Sequence, residues 1–358
     1  MWTETKITRT LKIAYPIIQG PMAGGPTTPA LVAAVSNGGG LGSLGAAYLT
    51  PDQMRKDIRE IRSLTAKPFG VNLFIPGPAQ AQPQAIERMQ QILATYRREL
   101  GLETPEIKAP YIPSFEEQIQ VALEERVPVF SFTFGLLPAR WVQEMKAAGI
   151  VVMGTATTVQ EGIALEKSGV DGIVGQGSEA GGHRGTFLAP VPQSLIGTMA
   201  LIPQLVDAVK IPVVAAGGIM DGRGIAAALT LGADAVQLGT AFLATPESGA
   251  HPDYKTLLQK SPEDSTTLTR VFSGRYARGL RNRFTEELQD HEAELLPFPI
   301  QNSYTRDIRT AANKQNRTEF MSLWAGQGVR LTRALPAAEL VAELAKEVNA
   351  ALNKVQAQ

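Results

Sequence analysis

Short apolar runs recur along the first two-thirds of the chain, each followed by a stretch whose apolar positions fall three and four residues apart. The runs are Ile13–Met22, Gly40–Gly45, Pro68–Ile75, Val127–Phe134, Ile150–Ala156, Val170–Gln176, Ile211–Gly217 and Ala233–Gly239. They are continuous in apolar character and do not alternate, which predicts strands buried on both faces, as in a parallel sheet. Parallel strands need crossover connections, and a helical segment fills each gap. Thr28-Pro29 opens one helix, which Gly38–Gly40 ends; threonine suits the cap, proline the first helical position and glycine the stop. Thr50–Leu64, with Met54, Ile58, Ile61 and Leu64 on one face, is a second. Ala139–Ala148, Thr158–Lys167, Pro192–Val209 and Asp221–Leu231 complete the series. Eight strand–helix units in succession predict an α/β fold, specifically a (β/α)8 TIM barrel.

Two stretches break the rhythm. Ala79–Leu100 reads as a long helix, Gly101–Pro113 as a proline-containing loop, and Ser114–Glu125 as a helix headed by the capping-box pattern Ser114-Phe115-Glu116-Glu117. This makes a helical insertion at about 79–126. After Leu243 the sequence turns polar, with helices expected at Pro252–Lys260 and Thr285–His291 and a turn at Pro297-Phe298-Pro299. The chain thus divides into a barrel over 1–244, a smaller helical substrate-binding excursion over the barrel mouth at 245–317, and a return at 318–358. The return contains the amphipathic helix Pro336–Asn353.

Composition narrows the class. Hydrophobic residues at 44% against 19% charged fit a globular protein with a large core. Lys+Arg and Asp+Glu balance at 34 each, so no net field points to nucleic acid or a membrane surface. Absence of cysteine removes disulfides, thiolate nucleophiles and thiolate metal sites. The start, MWTETKITRTLKIAYP, lacks the apolar core of a signal peptide, and no apolar run reaches the roughly 18 residues of a membrane span. A soluble cytoplasmic protein is the expectation.

Barrels place ligands on the loops at the carboxyl ends of their strands, and three constellations fall there. Gly217-Gly218 follows the seventh predicted strand and Gly239-Thr240 the eighth, the two loops with which barrels often hold a phosphate; Asp221 is placed to cap the next helix. Gly20-Pro21-Met22-Ala23, Asn72 and Gln176 lie around the same mouth, and their amides offer the donors and acceptors that the edge of a flat heterocycle needs. Met22 alone reads equally as core filler. The third is Ser178-Glu179-Ala180-Gly181-Gly182-His183-Arg184-Gly185-Thr186. His183 lies between glycines with no apolar pattern to bury it, which suits a residue tuned near neutral pH. Glu179 or Arg184 could orient it, or each could be a structural charge. His251 and His291, in the polar excursion, read as surface residues. No His/Asp/Glu spacing supports a metal.

At these residues the chain resembles the class I nitronate monooxygenases, formerly called 2-nitropropane dioxygenases. The carrying stretches are Gln19–Gln53, FGVNLFIP (Phe69–Pro76), Tyr111–Gly135, GSEAGGHRGTF (Gly177–Phe187), AAGGIMDGRG, ADAVQLGTAFLATPES and SLWAGQG. The resemblance implies FMN without a metal, and conversion of alkyl nitronates such as propionate 3-nitronate with O2 to a carbonyl compound and nitrite. It implies FMN contacts from Asn72, Gln176, Gly181, Gly182, Gly217, Gly218, Gln237, Leu238, Gly239 and Thr240. The Pro21, Met22 and Ala23 backbone would face the flavin, with Gln327 closing over it. His183 corresponds to the catalytic histidine. Tyr111, Tyr254 and Tyr304 would line the substrate pocket, and Arg309 or Arg306, in the segment that also holds Asp307, would meet the anion. A nitronate is already an anion, so His183 is expected to hold its oxygens by a charge-assisted hydrogen bond, and to act as a base only toward a neutral nitroalkane. Partners would be the substrate and O2, with a homodimer possible. The alternatives are an NAD(P)H-dependent quinone or enoyl-thioester reductase on the same flavin barrel, and a cofactor-free barrel lyase or isomerase.

Overall fold

The structure, a computed structural model, describes Met1–Gln356; the last two residues of the expected return, Ala357 and Gln358, lie outside the described residues. All eight expected barrel strands form: β1 (Ile17–Gln19), β2 (Gly42–Gly45), β3 (Phe69–Phe74), β4 (Val129–Thr133), β5 (Val151–Ala156), β6 (Gly172–Gln176), then, after the two-residue β7 (Gly182–His183), β8 (Val213–Ala216) and β9 (Ala235–Leu238). They make one parallel sheet in the order β1-β9-β8-β6-β5-β4-β3-β2. A parallel bridge between Ile18 and Leu41 closes it, with Gln19 N–H donating to Leu41 O at 2.9 Å and Leu41 N–H to Ile17 O at 2.9 Å. The fold is a (β/α)8 barrel.

The helices between the strands begin where their caps direct. Thr28, Thr50, Thr158 and Asp221 each accept a hydrogen bond from a backbone N–H of the first turn, satisfying a donor that the helix itself cannot. Ser114 caps Phe115–Glu124 in the same way, but as a single bond from Glu117 N–H and not the reciprocal box its sequence suggested.

An N-terminal helix, Lys6–Leu11, was not legible in the pattern. Its Ile7 and Leu11 pack with inward-facing Ile18, Val129, Met153, Val174 and Val214, filling the interior. Lys6 N–H meets Asp234 just before β9, so this plug sits at the amino end of the strands. The carboxyl end remains the open mouth.

The segment after Leu243 is not simply helical. Helices Pro252–Lys260 and Arg283–Gln289 form near their expected places, with shorter ones at Ile300–Tyr304 and Arg306–Lys314. Between them lies a hairpin, β10 (Thr266–Thr269) and β11 (Ala277–Leu280), that pairs antiparallel with β7. The insertion helix Pro83–Glu99 joins this cap: Met89, Leu93 and Tyr96 share a hydrophobic cluster with Phe284, Leu295, Ile308 and Phe320. Arg97, 1% exposed, donates to Asp307 Oδ2 at 2.7 Å and to Tyr304 O at 2.8 Å. A buried cation needs such partners, because leaving it unpaired costs several kcal/mol, on the order of 3–5.

Candidate active site

A cavity opens at the carboxyl end of the barrel, under the cap. Its lining includes Gly20–Gly24, Asn72, Gln176, Gly181–His183, Gly217, Gly218, Gln237, Gly239, Thr240, Tyr254 and Arg309. The structure therefore brings together most of the residues singled out in the sequence, drawn from the ends of β1, β3, β6, β8 and β9.

Each is held there for a local reason. Asn72 lies in register with Gly45 on β2 and Ser131 on β4, and its Nδ2 donates to Ser131 Oγ at 2.9 Å. Gly45 has no room for a side chain, since a Cβ would lie 2.5 Å from Ala23 N; this contact seats the Pro21–Ala23 backbone at the mouth. Gln176 ends β6 and folds the next loop back over itself. Its Oε1 accepts from Gly185 N–H at 2.8 Å and its Nε2 donates to His183 O at 2.9 Å. Gly217 and Gly218 have φ of 115° and 72°, the left-handed region that favours glycine. Gly239 lines the cavity, and a Cβ there would meet no atom within 4 Å. It leaves a cradle that a side chain would fill. Thr240 Oγ1 accepts from Gly326 N–H at 2.9 Å, closing the cradle from the SLWAGQG stretch.

Several expectations are corrected. Glu179 and Arg184 do not touch the His183 ring. Glu179 accepts from Thr198 N–H and Oγ1–H, each at 2.9 Å, placing its carboxylate at the start of helix Thr198–Ala208, where the dipole favours it. Arg184 is fully buried and donates to the carbonyls of Gly177, Gln176 and Ser194 at 2.6, 3.2 and 3.0 Å. Both are structural charges of the loop. Leu238 points outward from the barrel into the layer between strands and helices, 1% exposed, because it occupies the outward-alternating position of β9. Gln327 is exposed and does not line the cavity; its backbone N–H pins the stretch Ser322–Gly328 to Glu179 O at 2.9 Å. Tyr304 is buried within the cap cluster, and Tyr111 lies in a separate surface groove with Arg306 and Asp307. Of the three tyrosines only Tyr254 reaches the cavity, where its hydroxyl donates to Trp324 O. His251 is a lining residue and not a surface one; it caps helix Pro252–Lys260 through Asp253 N–H.

The sequence reading also missed residues. Phe74, Phe134, Phe298 and Trp324 surround the His183 ring with centroids 5.5–6.0 Å away. Trp324 belongs to the SLWAGQG stretch, the one sequence signal for it, and Phe298 lies in the Pro297-Phe298-Pro299 turn, whose prolines mask its role. Ser273 is the polar neighbour of the ring, its Oγ 2.8 Å from His183 Nε2.

The electrostatics are one-sided. Among the described residues, Arg309 is the one Lys, Arg, Asp or Glu that lines the cavity. Its Nη2 donates to Asn302 O at 2.7 Å and Asn302 Oδ1 at 2.9 Å, while its Nε is buried without a partner. Burial, offset in part by neighbouring Tyr48, lowers its pKa from 12.5 to about 10, so it stays a cation. Burial, with Arg275 and Arg309 nearby, pushes His183 down from 6.5 to about 3. The ring is neutral near pH 7, so His183 itself brings no positive charge to an anion in this state; Arg309 is the cation at hand. One end of the cavity is thus a glycine cradle suited to a phosphate, the other a cationic, aromatic-walled chamber containing a neutral imidazole.

Fold and site together define a (β/α)8-barrel enzyme with an anion-accepting cavity at the mouth. The nitronate monooxygenase family model matches residues 4–347. A probable nitronate monooxygenase of Staphylococcus aureus (strain Newman) is 46% identical over 350 residues, covering 98% of each chain. The structure of a nitroalkane oxidase from Streptomyces ansochromogenes matches with a TM-score of 0.90 at 43% identity, covering 97% of this chain and 99% of that one. FabK from Thermotoga maritima matches with a TM-score of 0.80 at 32% identity, covering 99% of each. The chain belongs to the nitronate monooxygenase family and is an oxidoreductase.

Proposed function

We propose that the protein uses FMN and O2 to oxidise alkyl nitronates, such as propionate 3-nitronate, to a carbonyl compound and nitrite. The observation that carries this reading is that, among the described residues, the cavity is lined by one cation, Arg309, and no carboxylate. An anionic substrate and an anionic cofactor both complete such a site. Gly217, Gly218, Gly239 and Thr240 would hold the cofactor phosphate, and Asn72, Gln176, Gln237 and the Pro21–Ala23 backbone its ring system. When bound, FMN supplies the electron acceptor.

The chain's own residues position the substrate. Arg309 draws the nitronate oxygens and holds them by charge-assisted hydrogen bonds. Tyr254, together with Phe74 and Trp324, makes a wall that excludes water and strengthens the electrostatic attraction inside. His183, neutral, takes up the α-proton when the substrate arrives as the neutral nitroalkane. We assign the segment 245–317 as the substrate-binding part, because it contributes Tyr254, Asn302 and Arg309 to the lining.

Oxygen uptake and nitrite release with propionate 3-nitronate, with and without NADH, test the proposal. Nitrite formation independent of NADH is expected. Rapid anaerobic bleaching of the flavin by NADH without nitrite formation would identify the reductase instead, and failure to bind FMN would identify a cofactor-free barrel.

A further inference from the structure

The hydroxyl of Ser273 has three neighbours. His183 Nε2 is 2.8 Å away, Arg275 O accepts from it at 3.1 Å, and Arg275 N–H donates to it at 3.3 Å. A serine hydroxyl has one proton and two lone pairs. The carbonyl can only accept and the backbone N–H can only donate. All three neighbours are satisfied in one arrangement alone: the hydroxyl proton goes to Arg275 O, and His183 carries its own proton on Nε2 and donates it to Ser273. The other tautomer would take the hydroxyl proton away from Arg275 O, which has no other donor among the described hydrogen bonds.

Ser273 itself is 1% exposed and is not a lining residue, so it does not reach the substrate. The hairpin holds it in place: Ser273 N–H donates to Arg270 O at 3.2 Å, and β11 pairs with β7 through Ala277 opposite His183. Arg184 N–H, donating to Tyr276 O at 2.8 Å, fixes the loop immediately after the histidine. The backbone pairing sets where the imidazole stands, and the aromatic edges around it leave only its two nitrogens for polar contacts. Among the described residues His183 Nδ1 has no hydrogen-bond partner, and it is not a buried orphan, which leaves it open to the cavity.

We propose that Ser273 is a positioning residue that fixes His183 as the Nε2–H tautomer, so that the ring presents the Nδ1 lone pair to the cavity. This rests on the reading that His183 faces the substrate. It makes the resting histidine a proton acceptor. A C–H acid, meaning a neutral nitroalkane, meets the lone pair productively: the α-proton passes to Nδ1, the carbon's electron pair shifts into the C=N bond, and the nitro group becomes the nitronate. A substrate that arrives already as the nitronate gains nothing from that lone pair and depends on Arg309. Ser273 therefore governs use of the neutral form over the anionic one.

The chain has only three histidines, so 15N-histidine labelling gives a readable spectrum. In the FMN-loaded protein at neutral pH, with His183→Asn to assign the signals, a pyrrole-like nitrogen at Nε2 and a pyridine-like one at Nδ1 are expected. Ser273→Ala should shift His183 to a mixture of tautomers, and Ser273→Thr, which keeps the hydroxyl, should restore the native pattern. In the same Ser273→Ala protein, kcat/KM for nitroethane should fall by about tenfold or more relative to that for ethyl nitronate, the loss coming mainly in kcat. A native spectrum with the proton on Nδ1, or a Ser273→Ala protein with unchanged tautomer and unchanged substrate ratio, overturns the proposal. The native spectrum decides even if that variant does not fold. Because it requires no turnover, it also separates failure of this inference from failure of the proposed activity.

Discussion

Replacing Arg309 with methionine separates function from stability at one position. The side chain makes two hydrogen bonds, both to Asn302, and has no salt-bridge partner among the described residues. Losing those two costs about 1.5–3 kcal/mol each, as bonds to a charged group. Against this stands the burial of the cation itself. A pKa lowered from 12.5 to about 10 corresponds to a penalty on the order of 3 kcal/mol, at about 1.4 kcal/mol per pH unit. The depressed pKa means that the folded state carries this penalty at every pH below about 10, including neutrality, and the methionine relieves it. The relief offsets half or more of the loss, so the variant should be destabilised by at most about 3 kcal/mol and melt within on the order of 10 °C of the native protein. Substrate binding has no such compensation. Loss of a charge-assisted contact to the nitronate removes about 1.5–3 kcal/mol, which is roughly 10- to 150-fold in kcat/KM. Thermal melting and initial rates of nitrite release on the same FMN-loaded preparation check both. Undiminished kcat/KM would refute Arg309 as the substrate's cation, and a large drop in Tm with KM unchanged would make it a structural residue.

Three further outcomes are expected. Gly239→Val should fold, since its φ of −98° suits any residue and a Cβ there touches nothing, but should weaken FMN binding by about tenfold or more by filling the cradle, as measured by fluorescence titration. The apoprotein should lose stability as pH falls below about 6.5, because the unfolded chain protonates His183 there while the folded chain resists to about pH 3; by pH 5 this amounts to about 2 kcal/mol, which His183→Asn should remove from the pH dependence of urea unfolding. Arg184→Met should destabilise by about 1.5 kcal/mol or more in the same assay, since it removes three hydrogen bonds to a charged group, at about 1.5–3 kcal/mol each, against about 3 kcal/mol of relieved burial.

The barrel was legible because its strands are buried on both faces, which writes each as an unbroken apolar run such as Val127–Phe134. The cap was not. β10 reads Thr-Thr-Leu-Thr and β11 Ala-Arg-Gly-Leu, with no period to distinguish strand from loop, and β7 is two residues that become a strand only through their partner. The glycines and amides of the site were found because barrel geometry dictates where strand ends converge. The tyrosines fared worse: Tyr254 and Tyr304 look alike in sequence, and only the packing of the cap sends one to the cavity and the other into its own core. Glu179 and Arg184 stand beside the histidine in the chain, yet the loop turns both away from its ring.

The three-stranded sheet has a consequence for anyone wishing to retarget the enzyme. One of its strands belongs to the barrel and carries the histidine; the other two belong to the cap and carry, in the loop between them, the serine that orients it. A cap transplanted from a relative would therefore bring half of the proton-handling pair with it. Chimeras joined before 182 or after 280 keep that pair intact, whereas a junction between the two segments divides it between parents.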